Sequence, residues 1–128
     1  MITRKILSEL KLLLGEYPVV TILGPRQSGK TTLVRDILTG YQYSNLEDPE
    51  IRQFATDDPK AYLAQFTSKT IIDEIQRVPE LLSYLQVLVD KEKVNGRFIL
   101  TGSHQLKLQE SITQSLAGRT AILTLLPL

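Results

Sequence analysis

Short apolar runs that alternate with helical patterns restrict the possible folds of this chain more than any other feature. The run Val19–Leu23 reads VVTIL and is continuous and rich in β-branched residues, as buried strands are. Further strands are predicted at 41–46, 69–73, 97–101 and 120–126. Because strands that alternate with helices are typical of β-α-β units with right-handed crossovers, the pattern predicts an α/β fold. A mostly parallel, five-stranded sheet is expected between two layers of helices.

Helical patterns fill the segments between these runs. The sequence predicts helices over 3–14, 30–39, 49–56, 59–66 and 106–116, and a further helix from Pro79 onward. Pro79 is expected at the first helical position, which suits proline because an N–H there would have no partner within the helix. Gly15 and Gly40 stand where the first two helices should end. Asp48 is expected to cap the helix over 49–56.

The composition excludes several classes of site and of protein. With no cysteine and one histidine among 128 residues, disulfides and zinc sites of the Cys-rich or His-rich type are excluded. The net charge of +1 does not single out nucleic acid or an anionic membrane as the main partner. No run approaches the roughly 18 apolar residues of a membrane span, and the N-terminus lacks a signal-peptide pattern. A cytoplasmic, single-domain protein without a membrane partner is therefore expected.

The strongest motif follows the first predicted strand and has the form G-x-x-x-x-G-K-[ST]. It consists of Gly24, Pro25, Arg26, Gln27, Ser28, Gly29, Lys30, Thr31 and Thr32. The glycines let the backbone turn tightly, so that successive N–H groups can surround a phosphate. The helix that follows adds the partial positive charge of its N-terminus. A chance glycine-rich turn is the alternative, but the motif lies between a buried strand and a helix, as a phosphate loop requires.

Two side chains of this loop supply what its backbone lacks for binding ATP with Mg²⁺. Lys30 brings a full positive charge to the β- and γ-phosphates, and the Thr31 hydroxyl can coordinate the magnesium ion. ATP is favoured over GTP because the chain contains no Asn-Lys-x-Asp motif for guanine. The whole loop is therefore predicted to bind ATP, with Lys30 also in a catalytic role.

An acidic pair ends the third predicted strand. The run Ile71-Ile72-Asp73-Glu74 places two carboxylates where a buried strand meets solvent. Asp73 is predicted to hold magnesium through a water, and Glu74 to orient and activate the attacking water. The pair points to NTPases that hydrolyse with a glutamate, rather than to small-molecule kinases or GTPases. Taken alone, such a pair often marks only the end of a strand, and the phosphate loop upstream is what favours the catalytic interpretation.

Two further residues are candidates because of their positions in the expected sheet. In the order 5-1-4-3-2, the fourth strand lies between those of the phosphate loop and Asp73, so Ser103 at its tip can reach the γ-phosphate or the attacking water. The alternative for Ser103 is that it caps the next helix or stabilises a turn. Arg119 lies before the last strand and can stabilise transition-state charge on its own or a neighbouring subunit's nucleotide. A solvated arginine beside a helix C-terminus is an equal alternative.

Five blocks of the sequence, in this order, resemble a known family. The blocks are GPRQSGKTTL, LEDPEIR, TIIDEIQRVPELLSYLQVLVD, FILTGSHQL and SLAGRTAILTLLPL. They look like the bacterial and archaeal AAA-type ATPases that carry a C-terminal DUF4143 region. The resemblance implies an AAA+ core with the P-loop NTPase fold, a three-layer α/β/α sandwich that binds and hydrolyses ATP. It also implies that Lys30 and Thr31 form the Walker A pair, and Asp73 and Glu74 the Walker B pair.

The same resemblance assigns Ser103 as the sensor and Arg119 as the arginine of the SLAGR block. Residues 1–128 then correspond to a single AAA-type ATPase core, without the helical lid and second sensor arginine of longer family members. ATP and Mg²⁺ are the implied cofactors. A homo-oligomer is expected if Arg119 acts on a neighbouring subunit, and a protein or DNA partner is left open.

Three functions are compatible with these residues. The first is an ATPase core with Glu74 as the catalytic base. The second is a nucleotide-binding module that has negligible turnover on its own. The third is a small-molecule phosphotransferase, which would need an acceptor pocket and an arginine-rich lid that the sequence does not display. ATP hydrolysis is the predicted function.

Overall fold

The computed structural model describes residues 4–25 and 39–125. The strands are β1 (Val19–Leu23), β2 (Gln42–Asn45), β3 (Thr70–Asp73), β4 (Phe98–Gly102) and β5 (Thr120–Thr124). The helices are α1 (Arg4–Leu14), α2 (Pro49–Asp57), α3 (Pro59–Ala64), α4 (Leu81–Glu92) and α5 (Leu106–Leu116), with a 3-10 turn at Ile75–Arg77. The helix predicted over 30–39 lies, apart from its last residue, outside the described residues. None of the described helices is both long enough and apolar enough to cross a bilayer.

The five strands form one parallel sheet in the order β2-β3-β4-β1-β5. This order confirms the predicted arrangement 5-1-4-3-2. The strands begin at one border of the sheet, here called the amino edge. It consists of the first residue of each strand and the residues just before it; the first residues are Gln42, Thr70, Phe98, Val19 and Thr120. The strands end at the opposite border, the carboxyl edge, which comprises the following residues and those just after them: Asn45, Asp73, Gly102, Leu23 and Thr124. All loops that follow a strand therefore emerge at the carboxyl edge.

Apolar side chains cover both faces of the sheet and make it the middle of three layers. On one face, α2 to α5 pack over Val19 and Leu23 of β1, and on the other face α1 packs over Val20 and Ile22. All four residues are fully buried. Successive side chains of a strand point to opposite faces, so a single apolar strand serves both cores. Burial of each such side chain stabilises the fold by about 1.5–3 kcal/mol.

Two helices begin where the sequence places aspartate before proline. Asp48 Oδ1 accepts a hydrogen bond from the Glu50 N–H at 2.9 Å, and Pro49 is the first residue of α2. Asp58 caps α3 in the same manner, through the Ala61 N–H at 3.1 Å. Each carboxylate pairs with an N–H that has no partner within its helix. The predicted cap at Asp48 is confirmed.

The helix α4 begins later than predicted. Pro79 is not its first residue, because the helix starts at Leu81 with Glu80 before it. After β3, the chain first forms the 3-10 turn Ile75–Arg77, and the Leu81 N–H then donates to the Val78 carbonyl at 3.1 Å. The turn packs against β4, a tertiary contact that helical periodicity does not reveal. The chain therefore passes over the end of β4 before the helix starts.

Candidate functional site

At the carboxyl edge, the start of the predicted phosphate loop lies next to the tip of β4. Gly24 directly follows β1 and is buried, and its N–H donates to the Gly102 carbonyl at 3.2 Å. The loop therefore leaves the sheet from β1, and only β4 lies between β1 and β3, the strand that carries the acidic pair. Of the predicted ATP-binding residues, Gly24 and Pro25 belong to the described part of the chain. The other seven lie outside it, namely Arg26, Gln27, Ser28, Gly29, Lys30, Thr31 and Thr32.

Asp73 is the last residue of β3, and its carboxylate is held by the strands on both sides. The residue is buried, with 2% of its surface exposed. Its Oδ2 accepts a hydrogen bond from the Tyr43 hydroxyl of β2 at 2.5 Å, and its Oδ1 accepts one from the Thr101 hydroxyl of β4. Hydrogen bonds to a carboxylate are charge-assisted and stronger than those between neutral groups. The neighbouring strands thus fix a buried negative charge at the carboxyl edge.

Tyr43 and Thr101 are site residues that the sequence motifs did not reveal. Ile71, two residues before Asp73, lies opposite Tyr43 on one side and Ile99 on the other. Because side chains return to the same face every two residues, Asp73 and Thr101 continue one row across the sheet. Thr101 is therefore identified by the strand order together with the two-residue repeat of side-chain direction. No motif of neighbouring residues along the chain marks it.

Glu74 follows Asp73 in a left-handed backbone conformation. Its φ is 63° and its ψ is 53°, a conformation that disfavours an L-residue by about 1–2 kcal/mol. The Glu74 N–H donates to the Thr101 hydroxyl at 3.0 Å, so Thr101 contacts both acidic residues. Glu74 is itself buried, with 9% of its surface exposed. Strained residues of this kind concentrate at functional sites, where the surrounding contacts hold them in place.

Gln76 links Glu74 to the tip of β4, and the sequence motifs did not reveal it either. Its Nε2 donates to Glu74 Oε2 at 2.8 Å, and its Oε1 accepts a hydrogen bond from the Ser103 N–H at 3.2 Å. Gly102 allows this approach, because a Cβ there would lie 3.1 Å from Gln76 Oε1 and 2.7 Å from Leu108 Cδ2. The one local signal is the position of Gln76, two residues after the acidic pair and within a tight turn.

Ser103 stands at the tip of β4, where the sensor was predicted. Its hydroxyl is buried and has no hydrogen-bond partner among the residues that the structure describes. A buried polar group without a partner costs about 1–3 kcal/mol, so it calls for an explanation. The capping alternative is not observed, because Gln105 is the residue that precedes α5. The sensor role of Ser103 stays a prediction, in which a phosphate oxygen or a water supplies the missing partner.

Arg119 lies at the amino edge, at the opposite end of the sheet from Asp73 and Glu74. It immediately precedes β5, and its guanidinium donates to both carboxylate oxygens of Asp90 at 2.7 and 2.8 Å. These hydrogen bonds hold the pKa of Asp90 below its ordinary value. A strand of five residues spans about 13 Å, so this position conflicts with a role of Arg119 on the nucleotide of its own chain. A role in a neighbouring subunit's site stays a prediction.

The carboxyl edge fits a magnesium ion that uses few protein ligands. Asp73 offers a carboxylate oxygen at the end of a buried strand, the hard ligand that Mg²⁺ prefers. Within residues 4–25 and 39–125, no three His, Asp or Glu side chains come together as a metal site. Magnesium commonly takes one or two carboxylates and completes its shell with phosphate oxygens and waters, so a single carboxylate suits it. Thr31, the other predicted ligand, lies outside these ranges.

Two curated mycobacterial proteins are similar to this chain in sequence. They are the uncharacterized proteins Mb2031c of Mycobacterium bovis and Rv2008c of Mycobacterium tuberculosis. Each is 39% identical over 121 residues, which represent 92% of this chain and 27% of the relative. The chain thus spans about a quarter of the length of these relatives. The C-terminal DUF4143 region of the family that the sequence resembles stays a prediction.

Three solved structures share the fold. A DNA replication initiation factor matches 94% of this chain and 44% of its own, with a TM-score of 0.55 and 15% identity. PH0952 of Pyrococcus horikoshii, a signal transduction ATPase with a tetratricopeptide repeat sensor, matches 98% of this chain and 23% of its own, with a TM-score of 0.57 and 19% identity. A variant of Thermotoga maritima RuvB matches 98% and 45%, with a TM-score of 0.53 and 18% identity. These similarities confirm the three-layer α/β/α P-loop NTPase sandwich.

A family match extends over most of the chain. Residues 16–128 match the AAA domain family. The matched range contains the predicted phosphate loop, the acidic pair of β3 and the tip of β4. It agrees with the sheet order, in which the strand of the phosphate loop and the strand of the acidic pair flank β4. The chain therefore belongs to the AAA domain family and forms an AAA-type ATPase core.

Proposed function

We propose that the carboxyl edge binds ATP with Mg²⁺ and that the chain hydrolyses this ATP with Glu74 as the catalytic base. The observation that carries the proposal is the position of β4 between the two predicted halves of the site. On one side, the Gly102 carbonyl accepts from the N–H of Gly24, where the phosphate loop begins. On the other side, the Thr101 hydroxyl contacts both Asp73 and Glu74. Both halves are thereby attached to the same short segment.

The phosphate loop would bind the triphosphate and set its position. Its backbone N–H groups and the N-terminus of the helix predicted after it would attract the phosphates, and Lys30 would add a full charge near the γ-phosphate. Asp73 would hold Mg²⁺ through a water, and Thr31 would offer a hydroxyl to the same ion. When bound, Mg²⁺ neutralises charge on the β- and γ-phosphate oxygens. The hydrogen bonds from Tyr43 and Thr101 keep the Asp73 carboxylate in one orientation.

Glu74 would act on the water that attacks the γ-phosphorus. Its carboxylate accepts a proton as the water oxygen bonds to phosphorus, and the bond to the bridging oxygen of ADP breaks. ADP and inorganic phosphate are the products. Ser103 would donate its hydroxyl to a γ-phosphate oxygen or to this water, which would give the buried hydroxyl a partner. The left-handed backbone at Glu74 supports this role, because the fold maintains it against the preference of the residue.

A nucleotide-binding module with negligible turnover is the second candidate function. One observation favours it: the chain corresponds to 27% of the length of its mycobacterial relatives. In this alternative, residues 1–128 form the core, and turnover requires parts of a longer protein or a neighbouring subunit. Arg119 is the candidate for completing such a shared site, because its place at the amino edge separates it from the carboxyl edge of its own chain.

The test compares phosphate release with ATP binding in the wild type and in Glu74→Gln. We expect Glu74→Gln to lower kcat for phosphate release by about 10²–10⁴-fold, because the amide cannot accept the proton. ATP affinity measured by calorimetry should change little. Glu80→Gln is the matched control, since Glu80 is an exposed glutamate whose side chain makes no cap hydrogen bond. ATP binding without any phosphate release in the wild type would favour the binding module.

The binding half of the proposal is tested separately with Lys30→Ala. We expect a large loss of ATP affinity, because the substitution removes the one full charge directed at the β- and γ-phosphates. Calorimetry with ATP and Mg²⁺ measures the change, and thermal unfolding establishes that the variant is folded. Equal affinities of the wild type and Lys30→Ala would contradict the assignment of the phosphate loop.

A further inference from the structure

The Gln76 side chain spans the tips of two strands. It lies in the 3-10 turn Ile75–Arg77, donates to Glu74 Oε2 at 2.8 Å and accepts from the Ser103 N–H at 3.2 Å. The partners dictate the orientation of the amide, because a carboxylate requires a donor and a backbone N–H requires an acceptor. A carboxamide meets both requirements with one planar group. Gln76 therefore forms a direct bridge between the predicted base and the segment of the predicted sensor.

The surroundings of Gln76 leave this bridge room to change. On one side, the bare Cα of Gly102 admits the amide, since a Cβ would lie 3.1 Å from Oε1. On another side, Gln76 lines an open cavity of about 260 Å³ together with Gln105, Lys107 and Ser111. The side chain is thus held by its two hydrogen bonds and is not fully enclosed by apolar packing. A shift at the tip of β4 can therefore reach Glu74 through Gln76.

We propose that Gln76 is a positioning residue that sets the Glu74 carboxylate relative to the tip of β4. This inference rests on the proposed function, in which Glu74 is the base and Ser103 contacts the γ-phosphate or the water. In this proposal Gln76 contacts the base and the Ser103 segment and acts through them, without contacting the nucleotide or the attacking water itself. When the Ser103 segment engages the γ-phosphate, the bridge orients Glu74 toward the water. After phosphate leaves, the same bridge carries the change at Ser103 back to Glu74.

Three substitutions of Gln76 divide the bridge into its two halves. Gln76→Ala removes both hydrogen bonds. Gln76→Glu is nearly isosteric and keeps an acceptor for the Ser103 N–H, but it places a second carboxylate against Glu74 and loses the donor. Gln76→Lys keeps a donor for Glu74 and loses the acceptor for Ser103. The series therefore separates the contact to the base from the contact to β4.

We expect Gln76→Ala to lower kcat by about 10–100-fold, because a small misplacement of a catalytic group has effects of this size. KM and the Kd for ATP should stay within about threefold, since Gln76 does not touch the nucleotide. Gln76→Glu should lower kcat at least as far as Gln76→Ala, because like charges would push Glu74 away. Gln76→Lys should retain more activity than Gln76→Ala. A merely structural role would not produce this order or this division between kcat and KM.

A double substitution tests whether Gln76 acts through Glu74. In the Glu74→Gln background, Gln76→Ala should change the residual rate by no more than about twofold, since groups that act as a unit are not additive. Gln105→Ala is the matched control, because Gln105 is a glutamine that lines the same cavity and makes no side-chain cap hydrogen bond. It should keep the wild-type kcat. Thermal unfolding of all variants establishes that each is folded, and the near-isosteric Gln76→Glu covers a failure of Gln76→Ala to fold.

The outcomes are distinguishable. Wild-type kcat in folded Gln76→Ala and Gln76→Glu, or a full additional loss in the Glu74→Gln background, overturns the role of Gln76 and leaves the proposed function intact. Absence of phosphate release from the wild type overturns the proposed function and, with it, this inference. A fall in kcat at constant KM that disappears in the Glu74→Gln background supports the inference.

Discussion

Buried polar groups at the two edges of the sheet differ in their hydrogen bonding. At the amino edge, Arg97 is buried with 5% of its surface exposed, yet its guanidinium donates to the Glu92 carboxylate and to the carbonyls of Ser68 and Phe66. At the carboxyl edge, the Ser103 hydroxyl is buried and lacks a partner among the residues that the structure describes. Both edges belong to the same five strands. The two buried groups therefore differ in their pairing within the described residues, although the same strands form both edges.

The carboxyl edge also carries a residue with a strained backbone beside its buried carboxylate. Glu74 at the carboxyl edge adopts a positive φ of 63° next to a buried carboxylate. The amino edge instead closes with satisfied contacts, such as the bidentate pair of Arg119 with Asp90 and the donation from the Tyr41 hydroxyl to the Gly96 carbonyl. A strained residue, and a buried hydroxyl without a partner in the described part of the chain, persist only where the rest of the fold compensates for them. The hydrogen bonds of the amino edge are among the contacts that can compensate for the strained residue at the carboxyl edge.

The largest expected effect on stability lies at the amino edge. Arg97→Met should destabilise the fold by about 3 kcal/mol or more, because it leaves a carboxylate and two carbonyls without their donor. It also removes the cation–π contact with the Phe98 ring, which lies 4.4 Å from the guanidinium carbon. Urea unfolding measures the change, and ATP affinity should be unaffected in folded protein. Arg119→Met is the control, since its ion pair is exposed and should matter far less. Equal losses in both variants would contradict the contrast between a buried and an exposed arginine.

The second prediction concerns the pH dependence of stability at Tyr62, a buried residue whose hydroxyl is hydrogen-bonded to Ser44. Burial raises the pKa of Tyr62 from 10.0 to about 12, while its hydrogen bond with Ser44 acts in the opposite direction. The folded state therefore favours the neutral phenol. Its contribution of about 2–3 kcal/mol is fully present below pH 10 and is lost as the pH rises toward 12. Urea unfolding between pH 9 and about 12 should show this fall in the wild type. Tyr62→Phe should remove this fall in stability, and the exposed control Tyr84→Phe should keep it. The wild-type pH dependence in Tyr62→Phe would show that another group causes the fall.

A smaller effect on stability, joined to an effect on activity, is expected at the carboxyl edge. Thr101→Val keeps the shape of the side chain but leaves the Glu74 N–H and one Asp73 oxygen without the hydroxyl. We expect a loss of about 1–3 kcal/mol, together with a lower kcat for phosphate release. Thr101→Ser keeps the hydroxyl and should retain most of the activity. If Thr101→Ser and Thr101→Val lose kcat equally, the hydroxyl is not what positions the acidic pair.

The smallest effect directly compares two strained positions. Among the residues that the structure describes, Glu74 and Lys93 are the non-glycine residues with positive φ. Lys93 ends α4 on the amino side of the sheet, so Lys93→Gly should stabilise the fold by up to about 1 kcal/mol and leave kcat unchanged. Glu74→Gly should relieve similar strain but abolish phosphate release. Thermal unfolding and a phosphate assay measure both properties. Phosphate release by Glu74→Gly at the wild-type rate would remove the functional reason for the strain at the carboxyl edge.

Much of the fold followed from patterns along the chain. The run Val19–Leu23 was predicted with its observed bounds, because a continuous apolar, β-branched run signals a buried strand. The cap at Asp48 followed from aspartate before proline. The start of α4 was wrong because Pro79 suggested a helix, whereas the turn Ile75–Arg77 is shaped by its contact with β4. Local patterns predict local structure well and miss turns that a distant strand decides.

Sequence patterns likewise reveal only some residues of the candidate site. Asp73 and Glu74 could be named from the sequence, since the acidic pair is contiguous and ends a strand. Gln76 and Thr101 could not, because their roles depend on hydrogen bonds across the tips of β3 and β4. Arg119 was named as a catalytic candidate with either its own or a neighbouring subunit's nucleotide as the target. The structure places it with Asp90 at the far edge, which conflicts with the first of these.

By itself, the sequence predicted the order of the strands and of the described helices, and its resemblance predicted an AAA-type ATPase core. It also marked the candidate phosphate loop and acidic pair. These features are encoded in spacing and periodicity over a few neighbouring residues. The tertiary structure alone decided which polar groups meet. Tyr43 and Thr101 reach Asp73 across separations of 30 and 28 residues, and their contacts exist only once the strands pair in register. Parallel pairing sends every strand end to one border, and that geometry brings the acidic pair and the tip of β4 together at the carboxyl edge.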